Sequence, residues 1–129
     1  MIALTLPYPP STNNYWRSPN SGKLAGRTLI SKKGREYRQQ VQQTIKDAGS
    51  PKADPGRLIV TIIVYPPDYR RRDLDNLPKA ILDSLTHANV IEDDSLIDHL
   101  SIRRYLRYPG GKVFVTVAPF NYSIILPTP

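Results

Sequence analysis

Leu58-Ile59-Val60-Thr61-Ile62-Ile63-Val64-Tyr65 is the stretch that decides the fold. Most of its residues are β-branched, and a branched Cβ favours the extended chain and packs well on a pleated surface. The run carries no charge and is too continuously apolar for an exposed edge, so it predicts a strand buried within a sheet. Pro66-Pro67-Asp68 ends it. Upstream, Tyr37, Val41, Ile45 and Ala48 recur at spacings of four, four and three, which places them on one helical face. Ser31 is the expected N-cap of that helix, and Gly49-Ser50-Pro51 its stop. Downstream, Leu77, Ile81, Leu85 and Ala88 mark a second helix over 76–88. Pro78 falls in its first turn, where the missing N–H is tolerable, and either Asp75 or Asn76 is expected to cap it.

The remaining elements follow from alternation and punctuation. Ile2, Leu4 and Leu6 alternate in a strand over 2–6, which Pro7, Pro9 and Pro10 end. Residues 10–17 read as a turn and a loop, and Ser18 to Thr28 as a second, basic loop. Residues 99–108 and 112–118 read as two strands joined through Pro109-Gly110-Gly111 in a hairpin-like turn. The expected fold is α+β: a mixed β-sheet with two helices packed on one face, in the order β-α-β-α-β-β. One domain spans 1–129 in this reading, with a C-terminal extension at 119–129. The apolar run Ile124-Ile125-Leu126 in that extension reads as an added strand or a pad over the core.

The formal net charge is +7, and a basic chain suits a polyanionic partner because each Lys or Arg near a phosphate displaces condensed counterions. Arg17, Lys23, Arg27, Lys32, Lys33, Arg35 and Arg38 face a single acid, Glu36, in the first part of the chain. Eight of the 11 acidic residues instead fall between Asp68 and Asp98. A basic flank around an acid-rich centre fits a phosphate-binding surface beside a metal site. A solvated surface of mixed charge is the plainer reading. There is no cysteine, which excludes disulfides, thiolate metal sites and cysteine catalysis. No apolar run is long enough to cross a bilayer, and no membrane role is expected. The segment Met1–Pro7 lacks the pattern of a secretion signal, so the expected location is cytoplasmic. Neither a phosphate-binding Gly-Lys-Ser/Thr loop nor a Gly-x-Gly-x-x-Gly fingerprint occurs, which argues against kinase and dinucleotide chemistry.

The densest chemical signal is Arg70-Arg71-Arg72-Asp73-Leu74-Asp75-Asn76. In an extended segment Asp73 and Asp75 point to the same side, with Leu74 turned inward as an anchor. Repulsion between two such carboxylates favours a bound cation or else raises one pKa, and an Arg/Asp-rich surface turn is the competing reading. Asp93-Asp94 follows the second helix and offers further candidate oxygen ligands where a compact turn at Asn89-Val90 brings the helix end back toward the sheet. Hard oxygen donors without cysteine favour Mg2+, with Mn2+ as a substitute, and either one or two ions fit the charge. Lys79 lies one helical turn beyond Asp75, where it either meets a phosphate or forms a salt bridge with Asp75. Arg70, Arg71 and Arg72 form a phosphate grip or pair with neighbouring acids. His87 and His99 lack ligand spacing.

With these residues in view, the chain resembles the RusA family of Holliday junction resolvases. The resemblance begins at Leu6-Pro7-Tyr8-Pro9-Pro10-Ser11-Thr12-Asn13-Asn14 and runs through Ser31, Gly34 and Tyr37-Arg38. Its most specific piece is residues 70–80, followed by Asp83, Leu85-Thr86 and Asp93-Asp94-Ser95 in the same order. It covers about residues 4–117. The resemblance implies a homodimeric, divalent-metal-dependent crossover junction endodeoxyribonuclease that resolves four-way DNA junctions by paired symmetric cuts. It implies that Asp73, Asp75 and Asp94 are catalytic metal carboxylates, with Asp93 as a supporting ligand and Lys79 as the catalytic lysine. Asn13 and Asn14 match the N-terminal motif, either ordering the chain beside the site or reaching DNA. The chain departs from a family representative at Pro78, where that representative has glutamine, and at His87, where it has lysine. Ser95-Leu96-Ile97 also lacks its glutamine. These departures leave the preferred cleavage sequence open. A broader structure-specific nuclease and a catalytically inactive branched-DNA-binding protein are the alternatives.

Overall fold

In the computed structural model, residues 1–121 are described; the extension proposed beyond them, including Ile124-Ile125-Leu126, lies outside the described residues. In chain order the elements are β1 (Ile2–Pro7), α1 (Thr12–Tyr15), β2 (Trp16–Arg17), β3 (Leu29–Ile30), α2 (Lys32–Asp47), β4 (Leu58–Tyr65), α3 (Pro78–His87), β5 (Ile97–Arg104) and β6 (Lys112–Pro119). Two short 3-10 turns, Leu74–Asn76 and Asp94–Leu96, flank α3. The fold is a mixed α+β arrangement, and its element order is richer than β-α-β-α-β-β.

The main sheet has the order β1-β6-β4-β5. β4 pairs antiparallel with β6 and parallel with β5, while β1 pairs antiparallel with β6. The apolar run thus has a neighbour on each side, as its composition requires. This overturns the hairpin expected between the last two strands. β4 lies between them, and residues 105–111 cross beyond its end. The physical reason is side-chain chemistry. β6 buries Val113, Val115 and Val117 and takes an inner place, whereas β5 carries Asp98, Arg103 and Arg104 and takes the edge, where those charges reach water. The Tyr105 N–H donates to the Val64 carbonyl at 2.8 Å and the Tyr108 N–H to the Pro66 carbonyl at 2.9 Å, so the crossover is tied to the end of β4. That pulls residues 105–108 out of the strand expected there.

One sheet face is fully covered. Leu4 and Leu6, Val113, Val115 and Val117, and Leu58, Val60, Ile62 and Val64 are buried with Tyr37, Val41 and Ile45 of α2 and Ala80, Ile81 and Leu85 of α3. The opposite face, with Ile59, Ile63 and Phe114, is only half-buried among the described residues. Both long helices therefore pack on one side. Among the described residues, no helix is long and apolar enough to cross a membrane.

The N-terminal region departs most from expectation. Residues read as turn and loop form α1 and then a two-stranded ribbon, with Trp16 opposite Ile30 and Arg17 opposite Leu29. Elements of four and two residues are too short to leave a periodic signal. Ser31 caps α2 as expected, its Oγ accepting from the Gly34 N–H at 3.0 Å. A Cβ at Gly34 would lie 2.5 Å from the Tyr15 carbonyl and 2.7 Å from Ile30 Cγ1. Glycine-to-alanine in a helix normally gains up to about 1 kcal/mol; here the backbone clash reverses the sign. Gly34→Ala is expected to cost about 1–3 kcal/mol, read as a lowered urea midpoint.

α3 starts at Pro78, two residues later than expected. Leu77 occupies its N-cap position without a side-chain hydrogen bond, so neither Asp75 nor Asn76 caps the helix. Residues 74–76 form their own 3-10 turn instead.

Candidate functional site

The tract between β4 and α3 is ordered by one carboxylate. Asp68 accepts from Arg72 Nη1 and Nη2 at 2.5 and 3.0 Å. It also accepts from the backbone N–H of Arg70 at 2.9 Å and from Arg70 Nε at 3.3 Å. The Arg72 guanidinium, followed by the Arg70 backbone N–H, holds the Asp68 carboxyl well below the usual carboxylate range. The Arg104 guanidinium braces the tract by donating to the Arg72 carbonyl. Arg70 and Arg72 are thereby committed, whereas Arg71 is exposed and makes no ion pair or hydrogen bond among the described residues.

The acids named from sequence separate into two groups. Asp83 is bonded to Arg38 and Tyr15, and Asp93 accepts from the Ser95 hydroxyl and, at 3.3 Å, from its N–H. The Ser95 hydroxyl and then its N–H lower the Asp93 pKa. Asp73, Asp75 and Asp94 are exposed, and their carboxylates accept no hydrogen bond and form no ion pair among the described residues. Lys79 is exposed in the first turn of α3 and forms no salt bridge with Asp75.

The alternation expected for Asp73 and Asp75 does not apply. Asp73 is extended, with φ −90° and ψ 134°, while Asp75 sits within the 3-10 turn. Parallel pairing puts the end of β4 and the start of β5 at opposite ends of the sheet. The turns at 74–76 and 94–96 nevertheless both pack against α3, and the first also packs against β5. Among the described residues, no three acidic or histidine side chains are gathered into a ready metal-binding group. The donor chemistry of Asp73, Asp75 and Asp94 still suits a hard divalent cation, since all three offer uncommitted oxygens.

A cleft of about 720 Å3 lies beside the tract, bounded by Tyr8, Ser11 and Asn14 on one side and by Arg70–Asp73, Asn76 and Leu77 on the other. The Thr12 hydroxyl donates to the Asn76 carbonyl at 3.0 Å, which fixes α1 against the tract. Asn13 and Asn14 are both exposed, and Asn14 lines the cleft. The Tyr8 hydroxyl is buried without a hydrogen-bond partner among the described residues, and burial raises its pKa. It is therefore a protonated, unused donor at the cleft. Sequence spacing gave no sign of the Thr12–Asn76 bond or of Tyr8, because both depend on a contact across more than sixty residues of chain.

The other cations are distributed unevenly. Lys23, Arg27, Lys32 and Lys33 are exposed, as is Arg17 in the ribbon. Arg35 donates to the Ile30 carbonyl at 3.2 Å. Arg38 is turned inward, 2.8 Å from Asp83 and 3.0 Å from the Tyr15 hydroxyl, and so links α2 to α1 and α3. Asp83→Ala would strand that guanidinium. A loss of about 1.5–3 kcal/mol in denaturant unfolding is expected, with the exposed cations untouched.

The family model described as "Endodeoxyribonuclease RusA" matches residues 7–118, most of the chain and all of this site. The chain belongs to the RusA family. Its relatives include the crossover junction endodeoxyribonuclease rusA of Enterobacteria phage HK97, 43% identical over 112 residues, covering 87% of this chain and 89% of that one. The RusA enzymes of Shigella sonnei (strain Ss046) and Escherichia coli (strain K12) are 37% and 36% identical over 115 residues, covering 89% of this chain and 92% of each relative. RusA membership thus makes this a nuclease fold, and the tract, cleft and α3 entry all lie within the matched region.

Proposed function

We propose that this RusA-family chain is a divalent-metal-dependent endodeoxyribonuclease that resolves four-way DNA junctions by paired symmetric cuts. What supports the reading is the set of uncommitted groups: Asp73, Asp75 and Lys79 on the tract and the α3 entry, with Asp73 lining an arginine-rich cleft, and Asp94 on a second turn that packs against α3. Asp68, Asp83 and Asp98 are paired with arginines, whereas Asp73, Asp75 and Asp94 form no ion pair among the described residues.

Asp73, Asp75 and Asp94 would hold Mg2+, or Mn2+ in its place, through carboxylate oxygens, with Asp93 in support. When bound, the ion supplies an acidified water and offsets charge on the phosphate. Lys79 Nζ contacts the scissile phosphate and stabilises the leaving oxygen. Arg71, with Arg70 beside it, holds a neighbouring phosphate, and Asn14 fixes the strand from the opposite cleft wall. Lys23, Arg27, Lys32 and Lys33 meet the flanking backbone, where each contact adds affinity without reading sequence.

Paired cuts need two sites. A C2 homodimer supplies them, and the half-buried sheet face bearing Ile59, Ile63 and Phe114 supports a self-complementary interface. The test is cleavage of a fixed four-way junction with Mg2+, with Mn2+ and with chelator, followed by mapping of both cut strands. Symmetric, ligatable nicks that need the metal are expected. Binding without nicks would leave a branched-DNA-binding protein, and equal cutting of flaps and forks a broader nuclease.

A further inference from the structure

The crossover between β5 and β6 carries a surface that the cleavage chemistry does not use. Tyr69 is 86% exposed, Leu106 67%, Tyr105 56% and Tyr108 47%. Large apolar side chains this exposed and this close together mark an interaction surface. The rings are also held in place. Tyr105 meets Tyr65 edge to face, with centroids 5.7 Å apart. The Arg107 guanidinium lies 4.8 Å from the Tyr69 ring centroid, and Lys112 Nζ lies 4.1 Å from that of Tyr108. The backbone beneath is pinned by the bonds from Tyr105 and Tyr108 to the end of β4.

Charge selects the kind of partner. Arg70, Arg71, Arg104 and Arg107 line the hollow of about 500 Å3 at this surface, against one acid, Asp68, which is already paired. An apolar protein face would desolvate these cations without compensation. A partner with flat apolar faces and a polyanionic backbone satisfies both features. Duplex DNA hides its base faces in the stack, so only unpaired or unstacked bases offer them. Arg70, Arg71 and Arg72 also line the cleft beside Asp73, so the two surfaces are continuous.

We propose that Tyr69 and Tyr105, on the crossover surface, form a stacking platform for an unpaired or unstacked base of the DNA strand whose phosphate enters the cleft. The proposal deepens the branched-DNA reading and rests on it: a branch point is where a base is most readily freed to stack.

The test uses the full chain in chelator, so that no cleavage intervenes. Anisotropy is read on a labelled oligothymidine, on a blunt duplex, and on a four-way junction carrying 2-aminopurine at the branch. The Tyr69→Ala/Tyr105→Ala variant is expected to lose on the order of tenfold in affinity for oligothymidine and to lose the 2-aminopurine response. Duplex affinity stays unchanged, and Tyr69→Phe/Tyr105→Phe behaves as the parent does. Should the alanine pair fail to fold, Tyr69→Ala alone carries the same test, because that ring is almost wholly exposed. An equal loss on duplex, or no loss on oligothymidine, overturns the platform. A parent protein that cuts junctions while the alanine pair binds normally sinks the platform and spares the nuclease. One that binds oligothymidine through these rings but never cuts a junction does the reverse.

Discussion

Asp75→Asn is expected to reduce metal-dependent junction cleavage severely while leaving the fold and DNA binding intact. The substitution keeps size and shape and removes one charge. Asp75 is exposed and bonded to nothing among the described residues, so the fold loses no contact. What the proposed metal site would lose is one ligand charge. Removing a single group aimed at a phosphoryl or acyl transition state typically costs on the order of 10^2 to 10^3 in rate, and the same or greater loss is expected here under single-turnover conditions with Mg2+. Circular dichroism and junction affinity in chelator should match the parent. Asp68→Asn is the informative contrast: it releases Arg70 and Arg72 from their clamp, so it should weaken binding and cleavage together. Cleavage by Asp75→Asn at the parental rate would remove Asp75 from the metal site.

Ile63→Asp is expected to turn a dimer that makes paired cuts into a monomer that makes single nicks. Ile63 lies on the half-buried sheet face, opposite Phe114 on β6 and Arg103 on β5. In a lone chain an aspartate there is half-exposed and keeps much of its hydration, and Arg103 stands beside it. In a self-complementary interface two such carboxylates would be buried near the two-fold axis, where each desolvated charge costs several kcal/mol. Sedimentation should report half the parental mass. Junction mapping should show nicks in either opposing strand, uncoupled in time, rather than pairs. A dimer that survives the substitution would move the interface to another surface.

The larger elements of this fold were legible because each has a period or a run. The apolar stretch at 58–65 announced an inner strand, and the Tyr37, Val41, Ile45 stripe with Ser31 announced a capped helix. Neighbour choice was not legible. Pro109-Gly110-Gly111 has ordinary turn chemistry, and only the competition between β5 and β6 for the inner place decides that the two strands do not pair. At the site, the acids were visible as a pattern, but which acids are engaged was not. Asp68 is claimed by the arginines two and four residues after it, a choice among near neighbours that the pattern leaves open, while Asp83 is engaged by Arg38 and Tyr15, far along the chain. Arg38 shows the same limit. Its position in a basic run suggested DNA, yet the structure turns it toward Asp83.

The strand order has a consequence for how the chain reaches this state. β6 lies between β1 and β4, so partners such as Ile2 and Val117 are far apart along the chain. During synthesis from the N-terminus, β1 emerges first and has no place to pair until residues 112–119 are made. Until then the apolar run of β4 has an open edge, with only β5 able to cover its other side. Closure by such distant contacts is slow, and open edges of this kind invite pairing with other nascent chains. β6 therefore acts as the keystone, and truncations or stalls before residue 112 should yield aggregation-prone chains rather than a smaller folded sheet.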